Sequence, residues 1–247
     1  MYFLFRLIAL IFMAMFVLFF GITYCLFSPR NPKHVCTFGK LYGSLYGLFG
    51  ITLHLRESES SKTVGKAVYI ANHQSNWDMV TVSNAIRPRT VSVGKKSLTY
   101  IPIFGWLYWL SGNVLIDRNN RTKAMGTIAQ IVESIKTKDI SVWIFPEGTR
   151  SRGRGLLPFK TGAFHAAIDA GVPIVPIVCS TTEHMSVHRG NNGHVIVEVL
   201  DPIPTVGLTK ENVRELMEKC HKLMKQRIAE IDAEVVKLNE GKIRKFN

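Results

Sequence analysis

The chain is poor in the residues that staple or metallate small proteins. Its four cysteines, Cys25, Cys36, Cys179 and Cys220, show no CxxC spacing, which excludes a zinc finger and argues for reduced thiols over disulfides. No HExxH string occurs among the scattered histidines, so no metal site is expected. The GxxxxGK string of a P-loop is missing, and so is a GxSxG nucleophile elbow. Internal repeats and low-complexity linkers are absent. Acidic residues are also scarce: 18 Asp and Glu stand against 31 Lys and Arg in 247 residues, for a net charge of +13. Segment 87–123 supplies a net +6 and segment 147–160 a net +3. Charge concentrated in this way points to an anionic partner, whether phosphate, acidic lipid or nucleic acid; the alternative is a merely soluble positive surface.

Charge of either sign is missing from Leu7 to Phe27, 21 residues that are long enough to cross a bilayer. The run exceeds the apolar core of a signal peptide and no small-x-small cleavage site precedes the prolines Pro29 and Pro32, so the segment is expected to be retained. A second apolar stretch, Leu41 to Leu53, follows Gly39 and carries Gly43, Gly47 and Gly50, a spacing that favours close approach of another helix. The pair reads as a helical hairpin that either spans or lies in one leaflet, with residues 33–53 as plain core helix the alternative. Arg6, Arg30, Lys33 and Lys40 flank the apolar stretches and suit an anionic cytoplasmic leaflet.

Beyond Leu55 the pattern alternates. Residues 57–65 read as loop, Val68–Ala71 as a buried strand, 75–86 as a helix, Thr90–Val93 as a strand, Asn113–Ile116 as a strand and Arg121–Lys136 as a helix. Ile140–Phe145, Ile174–Cys179 and His194–Leu200 read as strands. Residues 161–170 form a helix ended by Gly171, and a long amphipathic helix runs from Thr209 to about Leu238. The aromatic stretch Tyr100–Leu110 reads either as core helix or as the lining of an apolar channel. The whole predicts an α/β fold, a mixed central sheet flanked by helices, with an N-terminal apolar two-helix membrane-binding motif. Residues 1–53 form the membrane-associating segment and residues 54–247 the α/β domain.

Two strings carry chemistry. Asn72-His73-Gln74-Ser75-Asn76-Trp77-Asp78 sets a histidine five residues before a carboxylate. On one regular helix the two would diverge by about 140°. They meet if His73 sits in the turn after Val68–Ala71 and Asp78 folds back from the next helix. The carboxylate then fixes one ring nitrogen as donor and leaves the other as a base; a surface histidine and a capping aspartate is the alternative. Nothing around Ser75 marks it as a nucleophile.

The second string, Phe145-Pro146-Glu147-Gly148-Thr149-Arg150-Ser151-Arg152, ends a strand, where ligands gather in α/β sheets. Gly148 permits a turn that other residues resist. Arg150, Arg152 and Arg154 then alternate along a glycine-rich loop suited to bidentate contact with phosphate, and Lys160 precedes a helix start. Asp117-Arg118 and Lys95 end other strands and are further ligand candidates, with Asp117 and Arg118 either pairing together or bracing the arginine loop.

These strings, together with Gly112-Asn113-Val114-Leu115-Ile116-Asp117-Arg118 and Val172-Pro173-Ile174-Val175-Pro176, resemble the four blocks of the glycerolipid acyltransferase superfamily in order and spacing. Across nearly the whole length the chain is similar to the bacterial 1-acyl-sn-glycerol-3-phosphate acyltransferases. The resemblance implies transfer of a fatty acyl group from an acyl thioester, on acyl carrier protein or coenzyme A, to the sn-2 hydroxyl of lysophosphatidic acid, with no cofactor. It implies His73 as general base, Asp78 as its orienter, and Glu147, Gly148 and Arg150 at the glycerol phosphate, with Asp117 and Arg118 in support. It also implies a phospholipid membrane as partner and a cytoplasm-facing enzyme on the bacterial inner membrane. The competing readings are another acceptor (glycerol 3-phosphate or a larger lysophospholipid) and a non-catalytic basic module for acidic lipid or RNA. The basic residues lack an interleaved aromatic platform, so no nucleic acid is expected.

Overall fold

The computed structural model describes residues 2–102, 104–117 and 121–240. Seven strands form one sheet: β1 (Ile51–Glu57), β2 (Val68–Ala71), β3 (Thr90–Lys95), β4 (Val114–Ile116), β5 (Ser141–Ile144), β6 (Ile174–Cys179) and β7 (Gly193–Val199). Their spatial order is β1-β7-β6-β2-β5-β3-β4. All neighbours run parallel except the antiparallel pair β6 and β7. The sheet is therefore mixed, as expected. The carboxyl ends of β2, β3, β4, β5 and β6 share one edge, and β1 and β7 begin at that same edge.

Alternation within the strands splits the core in two. Val68, Ile70, Val142 and Ile174 face α5 (Arg121–Lys138), α6 (Gly162–Ala170) and α7 (Val213–Asn239). Tyr69, Ala71, Trp143, Val175 and Ile177 face the opposite layer, built from the 3-10 turns Ser44–Phe49, Asn76–Met79 and Val82–Ala85. Central strands apolar on both faces are what a parallel sheet covered on both sides requires. Gly171 closes α6 in the left-handed conformation (φ 67°), as predicted.

Three expectations are corrected. Residues 75–86 form two 3-10 turns instead of one α-helix. Side chains there compete for the backbone: Asn84 Nδ2 donates to the carbonyls of Gly43, Val80 and Thr81, and the Thr81 hydroxyl to that of Trp77. Residues 51–53 are sheet, not helix, because β1 pairs with β7 from Ile51↔Gly193 through Glu57↔Val199. Within residues 57–65, Glu59–Lys62 forms a single helical turn, α3, capped by Ser58.

The amino-terminal helices are α1 (Tyr2–Phe27) and α2 (Lys33–Gly43), joined by a turn containing Pro29 and Pro32. The α2 glycines meet the turn Val82–Ala85 and its flank: a Cβ at Gly39 would strike Ile86 and one at Gly43 would strike Asn84. Helix α1 lies against the domain along one line, Val17, Gly21 and Cys25, packed on Phe38 and on Leu107 of α4 (Phe104–Leu110). Its outer face leaves Phe5, Phe12, Phe16, Phe19 and Phe27 in the open. Arg6 does not flank the apolar run at a lipid surface. It is buried, and its guanidinium donates to the carbonyls of Leu48, Val187 and Arg189, over the ring of Phe49. Those acceptors precede β1 and β7, so the start of α1 is latched at the sheet edge where β2 and β5 end.

Candidate active site

The carboxyl end of β2 delivers Asn72 and His73. The Asn72 amide clamps this end to β6, donating to the carbonyl of Cys179 at 3.0 Å and accepting from its N–H at 2.9 Å. His73 Nδ1 lies 2.6 Å from Asp78 Oδ2. The same oxygen accepts the backbone N–H of Gln74 at 2.9 Å. An ionised carboxylate only accepts, so Nδ1 carries the ring proton and Nε2 holds the lone pair. Nε2 makes no hydrogen bond among the described residues. Asp78 sits in the turn Asn76–Met79, where the N–H of its second residue, Trp77, is capped by Ser75 Oγ at 3.1 Å. A 3-10 turn thus does the folding back that sequence reasoning assigned to a helix. The imidazole stacks on Phe145, with ring centroids 4.1 Å apart.

The 145–152 loop is tied to the histidine turn by three hydrogen bonds. Ser151 N–H donates to the carbonyl of His73 at 2.8 Å, and Arg152 N–H to that of Gln74 at 3.1 Å. Glu147 Oε1 accepts the N–H of His73 at 2.6 Å. Its other oxygen accepts the N–H of Leu157 at 2.9 Å. Glu147 is buried, and burial raises its carboxyl above the ordinary range, with the two N–H bonds pulling the other way. Each oxygen accepts one backbone N–H, so Glu147 braces the histidine turn against the arginine loop.

Gly148 turns the loop with φ 71°, and Lys160 folds its side chain over that glycine. The three alternating arginines separate. Arg154 is spent on the carbonyls of Ser151 and Arg150. Arg152 is exposed, on a left-handed residue (φ 50°). Arg150 is half-buried, and its buried Nε lacks a hydrogen-bond partner. Lys95, exposed, ends β3, and Asp117, half-buried, follows β4, both at the same edge, one and two strands beyond β5. Arg118 lies outside the described residues.

Phe145, Pro146 and Gly148 also border a cavity of about 660 Å³, within the usual size for a ligand site. Its walls are Val93, Ile116, Ile128 and Ile144, and its rim carries Lys160 and Lys210. The described residues of the Tyr100–Leu110 stretch do not line it, and most of the stretch's aromatic side chains face outward. Sequence reasoning missed two supports. Gln74 holds the 180–182 loop through the carbonyls of Cys179 and Ser180 and the N–H of Thr182. Asp232, on α7, accepts both the N–H and the hydroxyl of Thr181. Gln74 stood inside the first string; Asp232 offered no spacing signal, being 51 residues from its partner.

A family model described as acyltransferase matches residues 52–180. The 1-acyl-sn-glycerol-3-phosphate acyltransferase of Escherichia coli is 59% identical over 236 residues, covering 95% of this chain and 96% of that one. The chain belongs to the acyltransferase family. The enzyme of the same name from Haemophilus influenzae is 54% identical to this acyltransferase, over 89% of this chain and 92% of its own. A human relative, 1-acyl-sn-glycerol-3-phosphate acyltransferase alpha, is 32% identical over 85% and 75%. The fold is similar to that of the crystal structure of the 1-acyl-sn-glycerophosphate acyltransferase PlsC from Thermotoga maritima, with a TM-score of 0.69 and 23% identity, covering 90% of this chain and 92% of that one.

Proposed function

We propose that this acyltransferase moves a fatty acyl group from a thioester to the sn-2 hydroxyl of 1-acyl-sn-glycerol 3-phosphate, giving phosphatidic acid. The observation that carries the reading is the His73–Asp78 pair, with Nε2 unengaged and the turn bonded directly to the arginine loop. The relatives named for this acceptor supply its identity.

The chemistry follows from the pair. His73 Nε2 takes the hydroxyl proton as the substrate oxygen attacks the thioester carbonyl carbon. Asp78 stabilises the imidazolium that results. The tetrahedral intermediate collapses with cleavage of the C–S bond, and the imidazolium returns its proton to the departing sulfur. A thiol with a pKa near ~8.5 leaves with little help. No covalent enzyme intermediate arises, because the nucleophile belongs to the substrate. Arg150 and Lys160 hold the phosphate, Gly148 lets the loop approach it, Lys95 and Asp117 set the field along the same edge, and Arg118 acts in support. The apolar cavity beside Phe145 receives a fatty chain.

The thioester is carried by acyl carrier protein or coenzyme A, and no cofactor takes part. The enzyme sits on the cytoplasmic face of the bacterial inner membrane, with α1 in one leaflet. Its inner line is packed on α4 and its first turn is latched by Arg6, which leaves the open phenylalanines to lipid. Radiolabelled lysophosphatidate with each donor tests the reading. His73→Ala should lower the rate by about 10²–10⁴ without changing the acceptor KM. Phosphatidate formed at the wild-type rate would refute it.

A further inference from the structure

The stretch Tyr100–Leu110 packs only one side into the core, and what its other side exposes, with the preceding turn, has one suitable occupant. Tyr100 is 78% exposed and Trp106 68%, with Ile101 and Trp109 open beside them. Trp106 and Trp109 fall one turn apart on α4, whose other side buries Gly105 and Leu107 against the Thr99 backbone and α1. Four open apolar groups on one short segment exceed what a water-facing surface carries without a partner.

We infer that the turn Lys96–Tyr100 and α4 form a second membrane-seating surface, distinct from the apolar helix α1, whose occupant is a bilayer containing anionic lipid. Three features select lipid. The surface is continuous with α1, because Leu107 packs on the Val17–Gly21–Cys25 line beneath that helix's open phenylalanines. Its composition is that of an interface, with amphipathic Trp and Tyr beside the exposed Lys95 and Lys96, and with the Arg30 guanidinium over the Trp109 ring at 5.1 Å. Its position is useful, because the turn begins where β3 ends, at the edge that carries His73 and the arginine loop. A bilayer seated there meets the site that must take its acceptor from lipid.

The inference rests on the lysophosphatidate reading for its third feature and its second test. The first uses the full chain reconstituted in vesicles of phosphatidylethanolamine and phosphatidylglycerol with brominated acyl chains. Of the four tryptophans, Trp143 is buried in the core and Trp77 is half-buried. Bromine should therefore quench most of the emission of the wild type and little of that of W106F/W109F. Equal quenching of the two proteins, or none in the wild type, would overturn the proposal. Shielding of Trp106 by acyl carrier protein in place of vesicles would assign the surface to a protein and also overturn it. In the second test, Trp106→Asp should raise the apparent KM for lysophosphatidate in vesicles several-fold and leave turnover of a short-chain, monomeric lysophosphatidate unchanged. Equal losses on both substrates would make the tryptophan structural and reject the seat. A wild type that quenches normally yet turns over neither substrate would sink the proposed function and leave the seat standing.

Discussion

At the catalytic edge, Asn72, Gln74, Asp78 and Glu147 place their side chains on backbone groups of the histidine turn, the arginine loop and the 179–182 segment. The twenty-six residues of α1, by contrast, hold to the rest of the molecule by a narrow line of small and aliphatic groups, a few ring contacts of Phe3 and Tyr24, and one arginine. The two regions answer different physical demands. A base must be held within a few tenths of an ångström of its productive position, so its supports are directional, buried and redundant. A lipid-facing helix needs only an apolar surface of the right extent, because hydrophobic attraction has no direction. Geometry is concentrated in one region and area in the other.

Attacking the directional region should produce the largest effect. Asp78→Asn offers an amide where His73 needs an acceptor, which favours the tautomer with its proton on Nε2. The rate should fall by about 10³–10⁴ with acceptor KM nearly constant, by analogy with the same change in a serine protease triad. Steady-state kinetics check this; a loss below tenfold would mean that Asp78 does not set the tautomer.

The same contrast explains what the sequence revealed. Short continuous apolar runs and the two strings were legible because local pattern determines them: Val68–Ala71, Ile174–Cys179, the Gly171 stop and the His73–Asp78 pairing all stand where expected. The bracing by Glu147 was not legible because an acid beside arginines reads alike as ligand or brace, and only the fold shows each of its oxygens accepting a backbone N–H. Strand β1 was hidden inside an apolar run, although Ile51, Leu53 and Leu55 alternate with Thr52, His54 and Arg56. Its pairing partner lies some 140 residues away, and no local window reports it. The Arg6 latch was invisible for a similar reason: its acceptors are carbonyls, which any residue provides.

Among the described residues the latch is the hydrogen-bonded side chain that ties α1 to the domain, and removing it sharpens the comparison. Arg6→Leu keeps α1 apolar but strips the carbonyls of Leu48, Val187 and Arg189 of their donor. The loss should be about 2–4 kcal/mol, since each buried group left unpaired costs roughly 1–3. In detergent the thermal midpoint should drop by several degrees while kcat on a short-chain acceptor persists. An unchanged midpoint would show that area alone holds α1. At the site, Arg150→Ala should act next most strongly. Charge-assisted hydrogen bonds to phosphate contribute about 1.5–3 kcal/mol, so acceptor KM should rise roughly 10- to 100-fold with donor KM unmoved. Equal rises for donor and acceptor would deny the phosphate contact.

The smallest effect asks what redundancy at the catalytic edge costs. Burial raises the Glu147 carboxyl, and the N–H groups of His73 and Leu157 only partly offset it. A group whose folded pKa is raised contributes stability below its unfolded value and loses it as pH climbs through the folded value. Glu147→Gln removes the titration but supplies one acceptor where two N–H groups converge, so it should be the less stable protein at acid pH. The gap to wild type should then narrow as pH rises from the ordinary carboxylate range, as the wild type takes on a buried charge. Thermal midpoints of both proteins across that window measure it. A gap that widened with pH would mean that the two N–H bonds outweigh desolvation, and that the ionised brace stabilises the fold that it positions.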